Sequence, residues 1–334
     1  MRFISVTGRC AVAFIATLAI ADGLVRVFFP NLDRLVPNFS AAYLDRTIAR
    51  IGDGRRLVVL GDSVLWGYRV RARESAVSII AAAGVPTVNL AFEGGSLPNT
   101  YAVLRLMQRA GVRPRAVLFN VNLKEFNPAD SAYETLYPAV ETSVWSALTP
   151  AERRLLHRTQ SDSFEARASA WLSRVWALYA LRNDLRGAVF GEADAATAVA
   201  QHVNRLSGEA ARAERMHAPT EDRFLGTYDL SALTGANVEV AYLRATVALL
   251  RRERIPGIAV FTPVNHELLH AFIDVPEYER QRRYVRAVLE RDGVRVVDYD
   301  RAFEAADFFD NDHLTAQGNR KLAVMLEQHV LRDL

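Results

Sequence analysis

The sequence predicts an α/β fold of the flavodoxin-like type, a three-layer sandwich around a sheet of about five parallel strands. Five short apolar runs recur along the chain, and many of their residues are β-branched, as in the buried strands of parallel sheets. Amphipathic helical patterns lie between or after these runs, and such alternation favours helices on both faces of the sheet. With 334 residues, 50% of them hydrophobic, the chain can bury a large core.

The predicted elements follow in order along the chain. The five strands are four or five residues long and lie at Leu57–Leu60, Thr87–Leu90, Ala116–Asn120, Gly257–Phe261 and Val294–Val297. The helical patterns lie at Arg71–Ala83, Thr100–Ala110, Val240–Arg254, Glu277–Arg291 and Ala316–Leu331. Because ligand sites in such sheets form beyond the carboxyl ends of the strands, we expect the functional residues in the loops that follow them.

The N-terminus has the pattern of a targeting segment. Arg2 and Arg9 precede an apolar stretch that ends at Ala21, and apolar character resumes from Leu24 to Phe29. A segment of this length predicts a transmembrane helix that serves as an uncleaved signal anchor, with a cytoplasmic N-terminus. Ala19-Ile20-Ala21 also fits a cleavage site, so a cleaved signal stays open. Either way, we expect export: a single-pass protein of the inner membrane with a periplasmic, extracytoplasmic catalytic domain.

The predicted organisation has three parts. Residues 1–30 form the signal anchor, residues 31–54 a connector, and residues 55–334 the α/β domain. The third and fourth strands are separated by a long stretch, about 130–238, whose middle is rich in Ala, Arg and Leu. We expect a helical insertion there, since loops of this length in compact domains usually carry structure of their own.

Composition excludes several classes of function. The formal net charge is only +3, and no basic stripe is interleaved with aromatic residues, which argues against nucleic-acid binding. The chain has one cysteine, Cys10, which excludes an internal disulfide and a cysteine-based zinc site.

Gly61-Asp62-Ser63 comes directly after the first predicted strand and before a segment that can open a helix. A serine in such a turn can act as a nucleophile if a base removes its proton. It can equally be an ordinary helix N-cap, and the motif alone does not decide between the two.

Asp310-Asn311-Asp312-His313 precedes the last predicted helix. At a spacing of three in a turn, Asp310 can reach the His313 ring, fix its tautomer and stabilise the imidazolium. Asp312 competes for this role, but its adjacency to His313 gives poorer geometry, so we favour Asp310. The alternative is structural: an aspartate or Thr315 caps the helix and His313 only packs.

Two further loops offer hydrogen-bond donors. Asn89 to Ser96 spans the end of the second predicted strand and the loop after it, and its glycines let backbone N–H groups approach a ligand closely. Asn120-Val121-Asn122 ends the third strand, and an asparagine amide can donate to an oxyanion. Plain turns are the alternative for both loops.

Taken together, four sequence blocks resemble the SGNH, or GDSL-type, hydrolase superfamily. In order they are Gly61-Asp62-Ser63, Asn89 through Gly94, Asn120-Val121-Asn122 and Asp310-x-x-His313. The resemblance covers roughly Arg55 to Leu331 apart from the helical insertion. It departs from the family pattern at Ala91, at Asn120, which replaces the third-block glycine, and at Leu123, which replaces an aspartate.

The resemblance implies a role for each matching residue. Ser63 would be the nucleophile, His313 the base and Asp310 its orienter. The N–H groups of Ser63 and Gly94 and the amide of Asn122 would form the oxyanion hole. It implies a serine esterase or O-acyltransferase that needs no cofactor and no metal.

A narrower resemblance concerns envelope acyl-transfer proteins. The N-terminal anchor, the hydrolase-like blocks and Thr262-Pro263-Val264-Asn265 are similar to the D-alanyl transfer protein of the lipoteichoic-acid pathway and to acetyl-transfer proteins of alginate and cellulose modification. This resemblance implies acylated glycans or lipids of the cell envelope as substrates, with a membrane-bound O-acyltransferase as partner and no nucleic acid.

Two other functions remain open. The first is a non-catalytic scaffold that binds a membrane-bound O-acyltransferase and keeps a relic site. The second is a zinc peptidase, because His266-Glu267-Leu268-Leu269-His270 matches the His-Glu-x-x-His signature, with Glu290 as a third ligand. Against it, the motif follows a predicted strand closely and Pro276 ends any helix soon after it.

Overall fold

Five parallel strands form the central sheet in the computed structural model. They are β1 (Leu57–Leu60), β2 (Thr87–Asn89), β3 (Ala116–Val121), β4 (Gly257–Phe261) and β5 (Arg295–Asp298). Their order in the sheet is β2-β1-β3-β4-β5, and every neighbouring pair is parallel. This is the strand order of flavodoxin-like doubly wound sheets, so the predicted sheet is confirmed.

The structure describes part of the chain only. The described residues are 6–28, 41–52, 54–68, 70, 72–129, 133–156, 168, 171–172, 176–180, 224–330 and 332. The α-helices in the first half of the chain are α1 (Val6–Phe28), α2 (Ala41–Ile51), α3 (Ser63–Trp66), α4 (Ala76–Ala82) and α5 (Leu97–Arg109). Those that follow are α6 (Pro138–Val144), α7 (Pro150–Arg153), α8 (Ala177–Ala180), α9 (Val238–Glu253), α10 (His266–Ile273), α11 (Pro276–Arg291) and α12 (Ala316–His329).

Helices cover both faces of the sheet. Alternate strand residues such as Leu57, Leu118 and Val260 form one buried cluster with apolar residues of α4 and α12. Residues between them point to the other face. There the guanidinium of Arg286 on α11 lies 5.8 Å from the ring centre of Phe261 on β4. In that second layer α9 packs against both α5 and α11, which completes the predicted three-layer arrangement.

Several predicted elements differ from the structure by a few residues at their ends, and two of the differences have identifiable reasons. The helical pattern from Arg71 to Ala83 is broken, because the Ser75 hydroxyl accepts a hydrogen bond from the Ser78 N–H and caps a new helix, α4. A short 3₁₀ helix, Ala72–Glu74, precedes it. The fifth strand begins one residue later than predicted, at Arg295, because Val294 N–H bonds to Leu289 at the end of α11.

The chain divides into two compact units. One contains residues 1–43 and 162–210, and the other contains residues 44–161 and 211–334, including the sheet. In the first unit α1 packs against α8, and the Leu178 N–H donates to Asp22 at 2.9 Å. Most of the predicted insertion lies outside the described residues, because between 157 and 223 the structure describes only 168, 171–172 and 176–180. Among the helices that the structure describes, none combines the length and the apolar character that crossing a bilayer requires.

Candidate active site

Ser63 is the first residue of α3, directly beyond the carboxyl end of β1. Asp62 is the N-cap of this short helix, and its carboxylate accepts a hydrogen bond of 2.8 Å from the Val64 N–H. Ser63 is largely buried, and its Oγ lies 2.8 Å from Nε2 of His313. Two residues 250 positions apart in sequence are therefore in hydrogen-bond contact.

The opposite nitrogen of the His313 ring faces Asp310. Nδ1 of His313 lies 2.9 Å from each carboxylate oxygen of Asp310. Oδ1 of Asp310 also accepts the backbone N–H groups of His313, at 2.9 Å, and of Asp312, at 3.2 Å. The structure thus brings hydroxyl, imidazole and carboxylate into one line of contacts. This arrangement can take a proton from the hydroxyl and stabilise the resulting imidazolium.

The loop that carries Asp310 and His313 is held by Asn265, which follows β4, and by the helix cap at its own end. The Asn265 amide donates to the Asp310 carbonyl at 3.1 Å, and the Asn265 N–H donates to Asn311 at 2.8 Å. Thr315 caps α12 by accepting from the Gly318 N–H at 3.1 Å. Of the caps that the sequence left open, Thr315 rather than an aspartate caps the helix, which leaves the Asp310 side chain to His313 and the loop.

Gly61 is held in place by Asn120 on the neighbouring strand β3. The Asn120 side-chain oxygen accepts from the Asp62 N–H at 3.0 Å. A Cβ on Gly61 would lie 1.8 Å from that same oxygen, and the φ of Gly61 is +137°, in the region that favours glycine. Asn120, which departs from the family pattern, therefore has a clear structural role beneath the serine turn.

Two of the three predicted oxyanion donors are open N–H groups. Within the described part of the chain, neither the Ser63 N–H nor the Gly94 N–H has an acceptor. Gly94 is exposed with a φ of +72°, and no described atom lies within 4 Å of where its Cβ would be. The next residue, Gly95, passes so close to Gly61 that a Cβ would lie 2.1 Å from the Gly61 carbonyl oxygen. The loop after β2 therefore lies against the serine turn.

Asn122, the third predicted donor, has a different partner. Its amide nitrogen donates to Oδ2 of Asp312 at 2.9 Å, and its oxygen accepts from the Lys124 N–H at 3.3 Å. Asn122 is fully buried. A side-chain amide carries two N–H groups, so one of them remains for a second acceptor.

The electrostatics of the pair suit a base and its orienter. Burial alone would raise the pKa of Asp310, but its hydrogen bonds from His313 and Asp312 lower that pKa to about 2. Burial would lower the pKa of His313, but the Asp310 hydrogen bond and the charges of Asp312 and Asp310 raise it above its ordinary value. Asp310 is therefore ionised at neutral pH, and His313 readily accepts a proton.

Sequence reasoning missed a buried charged group behind His313. Lys124 forms an ion pair with Oδ2 of Asp312, the oxygen that also binds Asn122. Burial disfavours the charged ammonium, yet the carboxylates of Asp312 and Asp62 raise the pKa of Lys124 well above its ordinary value. The available signal was compositional: Lys124 and Lys321 are the only lysines among 41 lysine and arginine residues.

His266 and His270 do not form the site that the zinc-peptidase hypothesis requires. Nδ1 of His266 lies 3.1 Å from Asp274, and Nε2 lies 2.9 Å from Asp300, so carboxylates engage both ring nitrogens. His270 is exposed, and its Nδ1 lies 3.2 Å from the Glu267 carbonyl. In the described part of the chain, no cluster of three candidate metal ligands includes either histidine.

One described cluster has metal-ligand geometry: Asp310, Asp312 and His313, whose ligand atoms lie within 4.8 Å of one another. These atoms already have partners in the structure. His313 binds Ser63 and Asp310, while the ammonium of Lys124 lies against Asp312 as a cation would. The arrangement therefore fits acid–base chemistry better than metal binding.

Comparisons with known proteins find likeness at the level of solved structures. No protein-family model matches the sequence, and no curated protein matches it either. A solved structure described as a lipolytic protein of the G-D-S-L family from Desulfitobacterium hafniense aligns with 82% of this chain and 99% of its own, at 9% identity. The TM-score is 0.40, and a likeness at that level carries no weight for the chemistry of the site.

Proposed function

We propose that the protein is a serine esterase or O-acyltransferase that acts on acyl esters. The observation that carries the proposal is the continuous contact from Ser63 through His313 to Asp310, at 2.8 Å and 2.9 Å. Fold alone would not assign this activity, because the same sheet hosts many functions. A hydroxyl, a base and an ionised orienter in contact are what nucleophilic acyl chemistry needs.

The proposed reaction has two steps. In the first, His313 takes the proton of Ser63 as Oγ forms a bond to the ester carbonyl carbon, and His313 then gives that proton to the departing alcohol. The N–H groups of Ser63 and Gly94 face the oxygen on which negative charge develops. In the second, His313 takes a proton from water or from a sugar hydroxyl as that oxygen bonds to the acyl carbon, and His313 then gives the proton to Ser63 Oγ as the acyl–Oγ bond breaks. Water gives hydrolysis, and a hydroxyl gives transfer.

The substrate class and the location belong to the proposal as well. Positive residues ahead of the apolar N-terminal stretch support export and anchoring in the inner membrane, with the site in the periplasm. That location and the resemblance to envelope acyl-transfer proteins support acylated glycans or lipids as substrates and a membrane-bound O-acyltransferase as partner. Protease digestion of intact spheroplasts checks the orientation, because a site on the cytoplasmic side would be protected.

Ser63→Ala tests the activity directly. We expect the variant to lose turnover of a chromogenic acetyl ester and covalent labelling by a fluorophosphonate, because both require an activated serine oxygen. Ser231→Ala is the matched control, since Ser231 is an exposed serine that bonds to Asp229. Equal labelling of the wild type and Ser63→Ala would contradict the proposal.

A non-catalytic scaffold is the second candidate, and one observation favours it. The Asn122 amide donates to Asp312, so the predicted oxyanion hole has one donor partly engaged. A relic site of this kind would bind a partner without an activated serine. The labelling experiment separates the two functions, because wild-type protein that stays unlabelled while folded supports the scaffold.

A further inference from the structure

We propose that Lys124 and Asp312 are a pair of positioning residues that set the charge behind His313 and hence the pH range in which Ser63 is activated. The inference rests on the proposed function, in which His313 must be neutral to accept the serine proton. Neither residue touches Ser63, so both would act through His313.

The contacts place Asp312 directly behind the base. Asp312 is fully buried, and its Oδ1 lies 3.5 Å from Nδ1 of His313 without a hydrogen-bond partner among the described residues. Its Oδ2 accepts the Asn122 amide and forms the ion pair with Lys124. Nδ1 of His313 therefore faces two carboxylates, Asp310 by hydrogen bond and Asp312 across a slightly longer distance.

A single turn of chain supplies both partners of Asp312. Asn122 caps the 3₁₀ helix Leu123–Phe126 at the end of β3, and its oxygen accepts from the Lys124 N–H. The amide and the ammonium thus converge on one oxygen. Lys124 is one of only two lysines in the chain, and its ammonium is a compact point charge that can lie against a single carboxylate oxygen.

Several charged groups surround His313. Asp310 and Asp312 come from its own loop, Lys124 from the turn after β3, and Asp62 from the cap of α3, while the ring centre of Tyr68 lies 4.5 Å from that of His313. Glu125 lies next to Lys124 in sequence and close to Asp62. Burial raises the pKa of Asp62 and raises that of Glu125 further, because Asp62 and Glu239 are close to it. Burial disfavours the charged form of both groups, whereas Asp312 lies 3.5 Å from the His313 ring and is paired with Lys124, so this pair is the one that the variants address.

The two members of the pair act on His313 with opposite sign. The charge of Asp312 raises the pKa of His313, and the charge of Lys124 lowers it. Removing Asp312 should therefore shift the acid limb of Ser63 reactivity to lower pH, and removing Lys124 should shift it to higher pH. Loss of packing alone would lower stability without moving the two limbs in opposite directions.

The test measures the rate of fluorophosphonate labelling of the wild-type chain and its variants from pH 5 to pH 9. We expect Asp312→Asn to lower the midpoint by about half a unit to one unit, and Lys124→Met to raise it by a similar amount. The double variant Lys124→Met/Asp312→Asn replaces a buried ion pair by an uncharged pair, so it should fold and return the midpoint towards the wild-type value. Lys321→Met is the matched control, because Lys321 also pairs with an aspartate, Asp307, at 2.9 Å.

Two readouts separate this inference from the proposed function. Wild-type protein without any labelling would overturn the proposed function, and NMR titration of the His313 ring would still measure the opposite shifts. His313→Gln identifies the ring signal. Equal midpoints in all variants, or shifts in the same direction for Asp312→Asn and Lys124→Met, would overturn the inference.

Discussion

Two histidines of this protein have similar surroundings and different contacts. The side chains of His313 and His266 are 16% and 15% exposed, and each has a buried or half-buried aspartate at 2.9 Å. His313 has a carboxylate at Nδ1 and the Ser63 hydroxyl at Nε2. His266 has carboxylates at both nitrogens, Asp274 at Nδ1 and Asp300 at Nε2.

The difference decides what each ring can do. A ring between a carboxylate and a hydroxyl keeps one nitrogen as an acceptor and can pass a proton. A ring between two carboxylates has both of its nitrogens engaged, so it ties structural elements together. His266 connects α10 to the end of β5, and Tyr278 on α11 donates to the same Asp300. A histidine beside an aspartate is therefore a weak signal until the partner of its second nitrogen is known.

The largest expected effect separates the two histidines themselves. His313→Ala should lower the rate of fluorophosphonate labelling by roughly 10⁴-fold or more, because Ser63 loses its base. His266→Ala should leave labelling of the folded protein close to the wild-type rate. Rates measured on both purified variants check this, and equal losses for the two would remove the distinction.

The second largest effect should distinguish the aspartates that contact the two histidines. Asp310→Asn should lower the labelling rate by roughly 10²- to 10⁴-fold, because His313 loses the anion that holds its tautomer. Asp300→Asn should instead lower the free energy of unfolding by about 3 kcal/mol, because it removes the buried carboxylate that His266 and Tyr278 both contact. Urea unfolding and labelling of both variants provide the comparison. An Asp300→Asn variant with wild-type stability and a strongly reduced labelling rate would contradict this expectation.

The smallest effect concerns acid stability. The pKa of Asp310 is lowered from an ordinary 3.8 to about 2, so its ionised form stabilises the fold above pH 3.8. This contribution of about 2 kcal/mol is lost as the pH falls towards 2. Urea unfolding at pH 5 and pH 2 should show a steeper acid loss for wild type than for Asp310→Asn.

Asp274, the exposed partner of His266, is the control for that experiment. Hydrogen bonds from His266 and Arg301 outweigh burial and lower its pKa as well, but its exposure to solvent weakens the effect on stability. Asp274→Asn should therefore keep nearly the whole acid loss of the wild type. An acid loss reduced as strongly in Asp274→Asn as in Asp310→Asn would show that the site has no special role in acid stability.

Much of the fold could be predicted from local pattern. The strands β1 and β4 begin and end where their apolar runs do. These runs are buried on both faces, so every residue in them carries the signal. Ser75 was different, because a serine inside an amphipathic pattern can face solvent or cap a new helix, and its contact with Ser78 decides.

The residues of the site also fall into those that the sequence could predict and those that it could not. Ser63, Asp310 and His313 stand in short motifs at strand and helix ends, so sequence could propose them together. The partners of Asp312 could not be proposed, because they depend on how the turn after β3 packs against a loop 188 residues away. Asn120 shows the same limit: as a departure from a family pattern it counted against the site, and its contact with the Asp62 N–H appears only in three dimensions.

That contact has a consequence for how firmly the proposed nucleophile is anchored. Because the Asn120 amide fills the space where a side chain on residue 61 would be, the serine turn takes its position from the middle strand of the sheet rather than from its own loop. Any side chain at residue 61 would press against that amide and should shift the Ser63 hydroxyl away from the His313 ring.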